Sequence, residues 1–472
     1  MIASVNNKKN TYTDDFRDHL ATLDDQGKRK WVFANKPSGK FYRLRTILSL
    51  GYFVVFFGLP FVYVNDRPLF LFNVIKAKFI LFGKIFWPQD FFILGLGMIA
   101  FILFIILFTA AFGRLFCGWA CPQTNFMEMM FRKVEYWIEG DAPKQKMLAR
   151  QSWNSQKIFK KSVKHVLFFV LSFVIANFFI AYIIGIKELQ QIITEPVGQH
   201  LSGFASILVF SGIFYGVYAH FREQACTVVC PYGRLQGVLL DKNSMVVAYD
   251  YKRGEPRGLA KKTAESFFGD CIDCHACVKV CPTGIDIRNG VQMECVGCTA
   301  CIDACDNIMD KIGKPRGLIR YASENSIANG EQLRYTGRMK LYTALCGMVV
   351  LILSFILITR KDVDATIMRT PGILYQTRGT DSISNLYNIK VANKTTRQIP
   401  LTIQLEDKGG IIEIIGKPFI DVAKEGQGSG SFFVVLPANK LHRRKTNVKL
   451  VLYERSKKVG VINTSFLGPV SE

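Results

Sequence analysis

Eight of the thirteen cysteines in this 472-residue chain fall into two runs of one spacing. The first is Cys271-Ile-Asp-Cys274-His-Ala-Cys277-Val-Lys-Val-Cys281-Pro282, and the second is Cys295-Val-Gly-Cys298-Thr-Ala-Cys301-Ile-Asp-Ala-Cys305. Each reads C-x2-C-x2-C-x3-C, the spacing that holds a pair of [4Fe–4S] clusters. Three thiolates on one tight loop grip three irons of a cubane, and the fourth iron takes a ligand from elsewhere. In this pattern the fourth cysteine of each run serves the other cluster. Cys271, Cys274, Cys277 and Cys305 are therefore expected at one cluster, and Cys281, Cys295, Cys298 and Cys301 at the second. Zinc sites use four cysteines, usually as separated pairs, and leave the crossed spacing unexplained. Disulfides do not persist in a reducing cytoplasm. His275, inside the first run, reads as a loop residue that tunes polarity, not as a ligand.

Four more cysteines form two copies of Cys-x3-Cys-Pro, namely Cys117, Cys121 and Pro122, then Cys226, Cys230 and Pro231. On a helix a spacing of four puts both sulfurs on one face. The proline disfavours helix at the residue before it, so each pair is expected at a helix boundary. Four convergent thiols would make a soft metal site suited to Cu(I), or would cycle between dithiol and disulfide. The plain alternative is that they are small buried residues at helix ends, since free Cys packs like a small hydrophobe. Cys346, alone in an apolar run, reads as a packing residue. His165 and His220 fall near helix ends, where interfacial packing explains them better than paired haem ligation.

Apolar blocks must position these groups. Hydrophobic residues make up 49% of the chain. Five blocks reach the roughly 20 residues that cross a bilayer as helix: Arg45–Val64, Phe91–Phe112, Val163–Ile186, Leu201–Ala219 and Met339–Thr359. The fourth is short and carries Gly203, Gly212 and Gly216, as closely packed membrane helices do. A sixth stretch, Leu69–Phe86, is interrupted by Lys76, Lys78 and Lys84 and is expected to lie at the interface. The chain is polar through Lys40, which is not the pattern of a cleaved signal peptide.

The formal net charge is +23. About ten Lys and Arg precede span one, nine lie between spans two and three, and sixteen lie between spans four and five. By the excess of basic residues on cytoplasmic loops, all three segments are expected inside and the C-terminal segment outside. That accounts for the charge without a nucleic-acid partner. Both hairpins start and end inside and finish in the same cysteine motif, which reads as a parallel repeat.

After Thr359 the pattern turns to alternating apolar and polar residues. Expected strands are Leu386–Val391, Ile399–Leu405, Ile411–Ile415, Ser431–Leu436, Asn447–Tyr453 and Val459–Thr464, an immunoglobulin-like sandwich by count and spacing. It carries no cysteine or catalytic motif, so docking is its expected role. The expected fold is a multi-domain membrane protein: a cytoplasmic tail (1–44), a four-helix membrane domain (45–220), a ferredoxin-like α+β domain (221–338), a fifth span (339–360) and an all-β sandwich (361–472).

The full cysteine set resembles the CcoG/FixG/RdxA family of membrane polyferredoxins, accessory proteins for assembly of cbb-type cytochrome c oxidase. The resemblance is carried by Cys281–Arg288, by Cys301–Lys311 and by Lys314-Pro-Arg-Gly-Leu-Ile-Arg-Tyr321. Both Cys-x3-Cys-Pro motifs carry it too, and more weakly Arg369-Thr-Pro-Gly in the outer segment. It implies a protein of the bacterial inner membrane that reduces Cu(II) to Cu(I) during copper delivery, with Cys117, Cys121, Cys226 and Cys230 as the copper-side thiols. Implied partners are a cytoplasmic electron donor, copper-delivery and oxidase-assembly factors, and membrane lipid; a homodimer is compatible. The alternatives are a quinol-oxidising membrane ferredoxin, which needs a quinone pocket, and a redox-sensing scaffold without turnover.

Overall fold

The computed structural model describes residues 21–469 apart from 25, 88–89, 259–267, 333–334, 361–362, 380, 396, 407–408, 417, 442 and 456. The first twenty residues of the expected tail lie outside that set. The chain divides into two compact units: one runs through Phe61 and from Leu96 to Leu351, the other comprises Val62–Gly95 and Ile352 onward.

Five helices are long and apolar enough to cross a membrane: Lys40–Phe61, Phe91–Phe112, Ser155–Ile184, Leu201–Phe221 and Gly337–Thr359. The chain is a multi-pass membrane protein. The first and third helices begin earlier than the apolar runs. Asn154 caps the third by accepting a hydrogen bond from the Lys157 amide, which allows a charged first turn that hydropathy does not register. Of the glycines in the fourth span only Gly203 has a close neighbour, Ile192; Gly212 and Gly216 face open space. Cys346 is buried in the fifth span.

The bundle core is aromatic. Phe126, Phe131, Phe168 and Tyr218 are buried together, with Phe131 stacked on Tyr218 at 4.3 Å between centroids. Burying such rings contributes about 1.5–3 kcal/mol each where water is the alternative.

In the same unit, strands Val246–Tyr249 and Ile319–Ala322 pair antiparallel and flank helices Ala276–Lys279 and Ala300–Lys311. This is the ferredoxin-like α+β arrangement. Its core joins Val247, Tyr249, Ile302, Met309, Leu318 and Ile319 to Cys271, Cys277 and Cys305. Apolar packing thus encloses three of the cluster cysteines.

Residues 21–44 are no free tail. The Asn35 amide donates to the Lys279 carbonyl at 2.8 Å, and Ala34 is buried. Asp303, on the helix between two cluster cysteines, accepts from the amides of Phe41 and Tyr42 at 3.1 and 2.7 Å. Those are orphan donors at the start of the first span, so a cluster-domain carboxylate serves as its cap.

In the other unit the sandwich is confirmed. One sheet has the order Ile411–Ile414, Gln427–Pro437, Ser382–Asn393, Val363–Arg369, with Gln376–Arg378 pairing Ser382–Asn393; the other has Ile420–Val422, Ile399–Leu405, Lys445–Glu454, Lys457–Leu467. Tyr387, Phe432 and Phe466 fill the space between them. Three strands escaped the sequence reading, because Val363–Arg369, Gln376–Arg378 and Ile420–Val422 are short or charged.

The expected interfacial stretch at Leu69–Phe86 is instead a three-stranded meander, Phe70–Asn73, Lys78–Leu81 and Lys84–Phe86. Alternation buries Leu71, Ile80 and Ile85, and the lysines that break a helical reading are harmless on a strand. Within this unit Lys78 pairs with Glu425 at 2.8 Å, and buried Asp90 pairs with Lys394 at 2.7 Å and Arg360 at 2.6 Å. The segment after span one and the C-terminal segment therefore belong to one compact unit.

Candidate iron–sulfur and thiol site

The two cysteine runs adopt one backbone. Asp273 and His275 have φ of 55° and 56°; at the matching places Gly297 and Thr299 have 66° and 63°. Two left-handed residues per loop turn three cysteines inward, and each loop feeds directly into a helix. Three of these four positions are not glycine, so the strain is held by the surrounding fold.

The cysteines fall around two small cavities. One is lined by Cys271, Cys274, Cys277 and Cys305. The other is lined by Cys281, Cys295, Cys298 and Cys301, with Cys277 on the shared wall. Both are lined mainly by apolar atoms, and the grouping is the one crossed ligation requires. The residues thus fit two [4Fe–4S] clusters, which supply one-electron transfer when bound.

Burial pushes the thiols of Cys277, Cys298 and Cys305 up to about 12. Ligation must therefore displace protons, and iron supplies the charge that makes this favourable.

The two loops meet different surroundings. At the first, Arg288 binds Asp286 and Asp273 and reaches the His275 Nδ1 at 2.8 Å, and Cys274 is exposed. The second is enclosed, with Val296, Cys298 and Ala300 packed against Cys117 and Cys226.

Each Cys-x3-Cys-Pro motif is a helix boundary, as its proline requires. Cys121 and Cys230 are extended N-cap residues with Pro122 and Pro231 at the first helical position; proline is favoured there because no partner is needed for its missing amide. The tertiary fold brings the motifs together although more than a hundred residues separate them. The Cys117 Sγ donates to the Gln236 Oε1 at 3.3 Å, on the helix after the second motif. Cys226, from the second motif, packs with Cys117 against Val296, Cys298 and Ala300. Burial, and then the neighbouring Cys121, push both Cys117 and Cys226 up to about 12. One thiol from each motif thus packs beside the second cluster site, with Cys121 and Cys230 close enough to act on both.

Glycine permits this approach. A Cβ on Gly118, between the first pair of cysteines, would lie 2.4 Å from the Gly297 carbonyl oxygen, and one on Gly297 would lie 2.8 Å from that of Arg114. Trp119 joins the contact, its Nε1 donating to the Tyr321 hydroxyl at 3.0 Å.

A charged cluster braces the second motif and was not anticipated from sequence. Arg222, two residues after the bundle residue His220, forms a bidentate pair with Glu135 at 3.1 and 2.7 Å. Lys164 and Arg132 lie close by, and both Arg222 and Glu135 are buried. Burial raises the Glu135 carboxyl, but Arg222, Lys164 and Arg132 outweigh it and hold it at about 2. His165 bonds Tyr215 at 2.8 Å, in keeping with interfacial packing.

Fold and site together define a membrane-anchored dicluster iron–sulfur protein. The profile of a 4Fe-4S dicluster domain matches residues 221–324, that of a 4Fe-4S binding domain residues 94–144, and that of an IG-like fold at the C-terminal of FixG residues 353–469. The chain is 33% identical to Protein RdxB of Cereibacter sphaeroides, covering 87% of each chain. It is 34% identical to Protein RdxA of the same organism over 78% of this chain and 80% of that one. It is 32% identical to the nitrogen fixation protein FixG of Rhizobium meliloti over 85% and 82%. This chain belongs to the FixG/RdxA family.

Proposed function

We propose that the protein is a cupric reductase of the bacterial inner membrane that acts in assembly of cbb-type cytochrome c oxidase. Its clusters face the cytoplasm and its sandwich the periplasm. Each Cu(II) takes one electron and leaves as Cu(I), the electron coming from a cytoplasmic donor by way of the cluster domain. The observation that carries this reading is the packing of Cys117 and Cys226, one from each motif, against the loop of Cys298, with Cys121 and Cys230 near enough to act on them. Soft thiols prefer Cu(I) over Cu(II), which favours reduction at that place. The exposed Cys274 edge is the entry for a soluble donor, and the sandwich is the surface for assembly factors.

The test is direct. Reduced protein mixed with Cu(II) and a Cu(I)-specific chelator is expected to yield Cu(I). Serine at all four paired cysteines should abolish that yield and leave cluster absorbance intact. Unchanged copper reduction in the four-serine variant would overturn the reading.

One observation favours a second occupant. The 94–144 match is to a 4Fe-4S binding domain, and Cys117 and Cys121 are the only cysteines in that span. Together with Cys226 and Cys230 they would complete the ligand set for a third cubane. About twelve irons per chain instead of about eight would assign the thiols to it.

A further inference from the structure

Two arginines lie buried between the thiol motifs and the second cluster loop. Arg45, 2% exposed, sits in the first turns of span one. Its Nε donates to the Gly118 carbonyl at 2.9 Å and its Nη1 to the Cys298 carbonyl at 3.0 Å. It therefore ties the first cysteine motif to the cluster loop. Arg114, 8% exposed, donates to the carbonyls of Met293, Cys295 (3.2 Å) and Gly233 (2.8 Å), tying the second motif to the same loop.

Neither guanidinium has a carboxylate within ion-pair distance among the described residues, and each leaves a buried N–H without a hydrogen-bond acceptor: Arg45 Nη2 and Arg114 Nε. An unpaired buried cation is expensive, so the fold keeps these two for a negative charge not supplied by a carboxylate. The candidates at hand are thiolates and a ligated cluster: Arg45 acts on Cys298, and Arg114 acts on Cys295 and Cys117. Glu294, beside Cys295, is the opposing acid.

The first cluster site has the reverse balance. Arg288 there is matched by Asp273 and Asp286, and Asp306 adds charge beside Cys305. Reduction adds one negative charge to a cluster, so net positive surroundings favour the reduced form, the more so where water is excluded.

We propose that Arg45 and Arg114 make the second cluster site the more easily reduced of the two, so that electrons settle beside the paired thiols instead of at the solvent-exposed loop. They act as positioning residues for an electron, through charge and through the carbonyls they hold. One electron leaves the first site and one enters the second, with no proton or bond exchanged. The inference rests on both sites holding cubanes, not on copper being the substrate.

The test uses the full-length protein in detergent, prepared anaerobically, with iron and sulfide assayed first. EPR-monitored redox titration then gives each cluster's reduced-to-oxidised ratio, with the first cluster's signal identified by its loss in Cys274→Ser. At the potential where the wild-type second cluster is half reduced, Arg45→Gln and Arg114→Gln are each expected to lower its ratio about tenfold, 59 mV for one electron. The first cluster should move much less. Arg45→Lys, which keeps the charge, should restore most of the ratio. Glu294→Gln, which removes the opposing acid and leaves both arginine clamps in place, should raise the ratio. It decides the matter even where a glutamine variant fails to take up iron. Ratios unchanged in Glu294→Gln and in every iron-replete arginine variant would overturn the proposal, as would a wild type whose first cluster is reduced first.

Discussion

The two cluster loops have the same spacing and the same pair of left-handed residues, yet they differ at every position that looks outward. Where the first has Asp273 and exposed His275, the second has Gly297 and buried Thr299. Asp273 stands at the matching place, where it engages Arg288. Gly297 has no such room, because the Arg114 carbonyl lies against it. One loop is open to solvent and the other is pressed against the cysteine motifs. Ligand spacing makes a cluster site, and the residues between the ligands decide what that site faces.

Ligand variants should break the comparison most severely. Cys305→Ser, although in the second run, should remove the first cluster's signal and lower iron from about eight to about four per chain. Cys281→Ser should remove the second's. Iron and sulfide assays with EPR check both, and loss of the other cluster in either case would sink the crossed assignment.

Next comes the brace behind the second motif, which has no counterpart at the first loop. Glu135→Gln removes the bidentate partner of buried Arg222 and leaves it only Glu223 at 3.8 Å, a loss of about 1.5–3 kcal/mol, seen as a lower thermal transition in detergent. The sign of the pH dependence follows from its depressed value. The stability Glu135 contributes is complete above the ordinary glutamate value of 4.5 and is lost as pH falls toward about 2.

Exchanging the loops' outward residues sharpens the contrast. Gly297→Ala should cost about 1–3 kcal/mol through overpacking against Arg114, with more for Gly297→Asp. Asp273→Gly should shift stability by less than about 1 kcal/mol. Thermal melts of the three, with iron content, give the order. Asp303→Asn, weakening the cap on span one, should cost about 0.5–2 kcal/mol. The smallest effect is expected for exposed His275→Ala, within about 0.5 kcal/mol.

Much of the molecule was legible before any fold. The eight cluster cysteines, the five spans and six strands of the sandwich all follow from spacing or period, which are local properties of the chain. The lysines kept the segment after span one from reading as a span but did not announce its strands: Lys76 lies in a turn, Lys78 is held by distant Glu425 and Lys84 is exposed. Residues 21–44 were read as a tail because their anchors, such as the Lys279 carbonyl and the Asp303 carboxylate, come from distant segments.

What the amino-acid order set out alone is two ligand runs of one spacing and five segments apolar and long enough to cross a bilayer, since loop spacing and helix length act over a few residues. Only the tertiary structure joined Cys117 and Cys121 to Cys226 and Cys230 and set Arg45 and Arg114 beside the second loop. The partners of those arginines are backbone carbonyls, and a carbonyl is the same at every position, so no motif could have announced them.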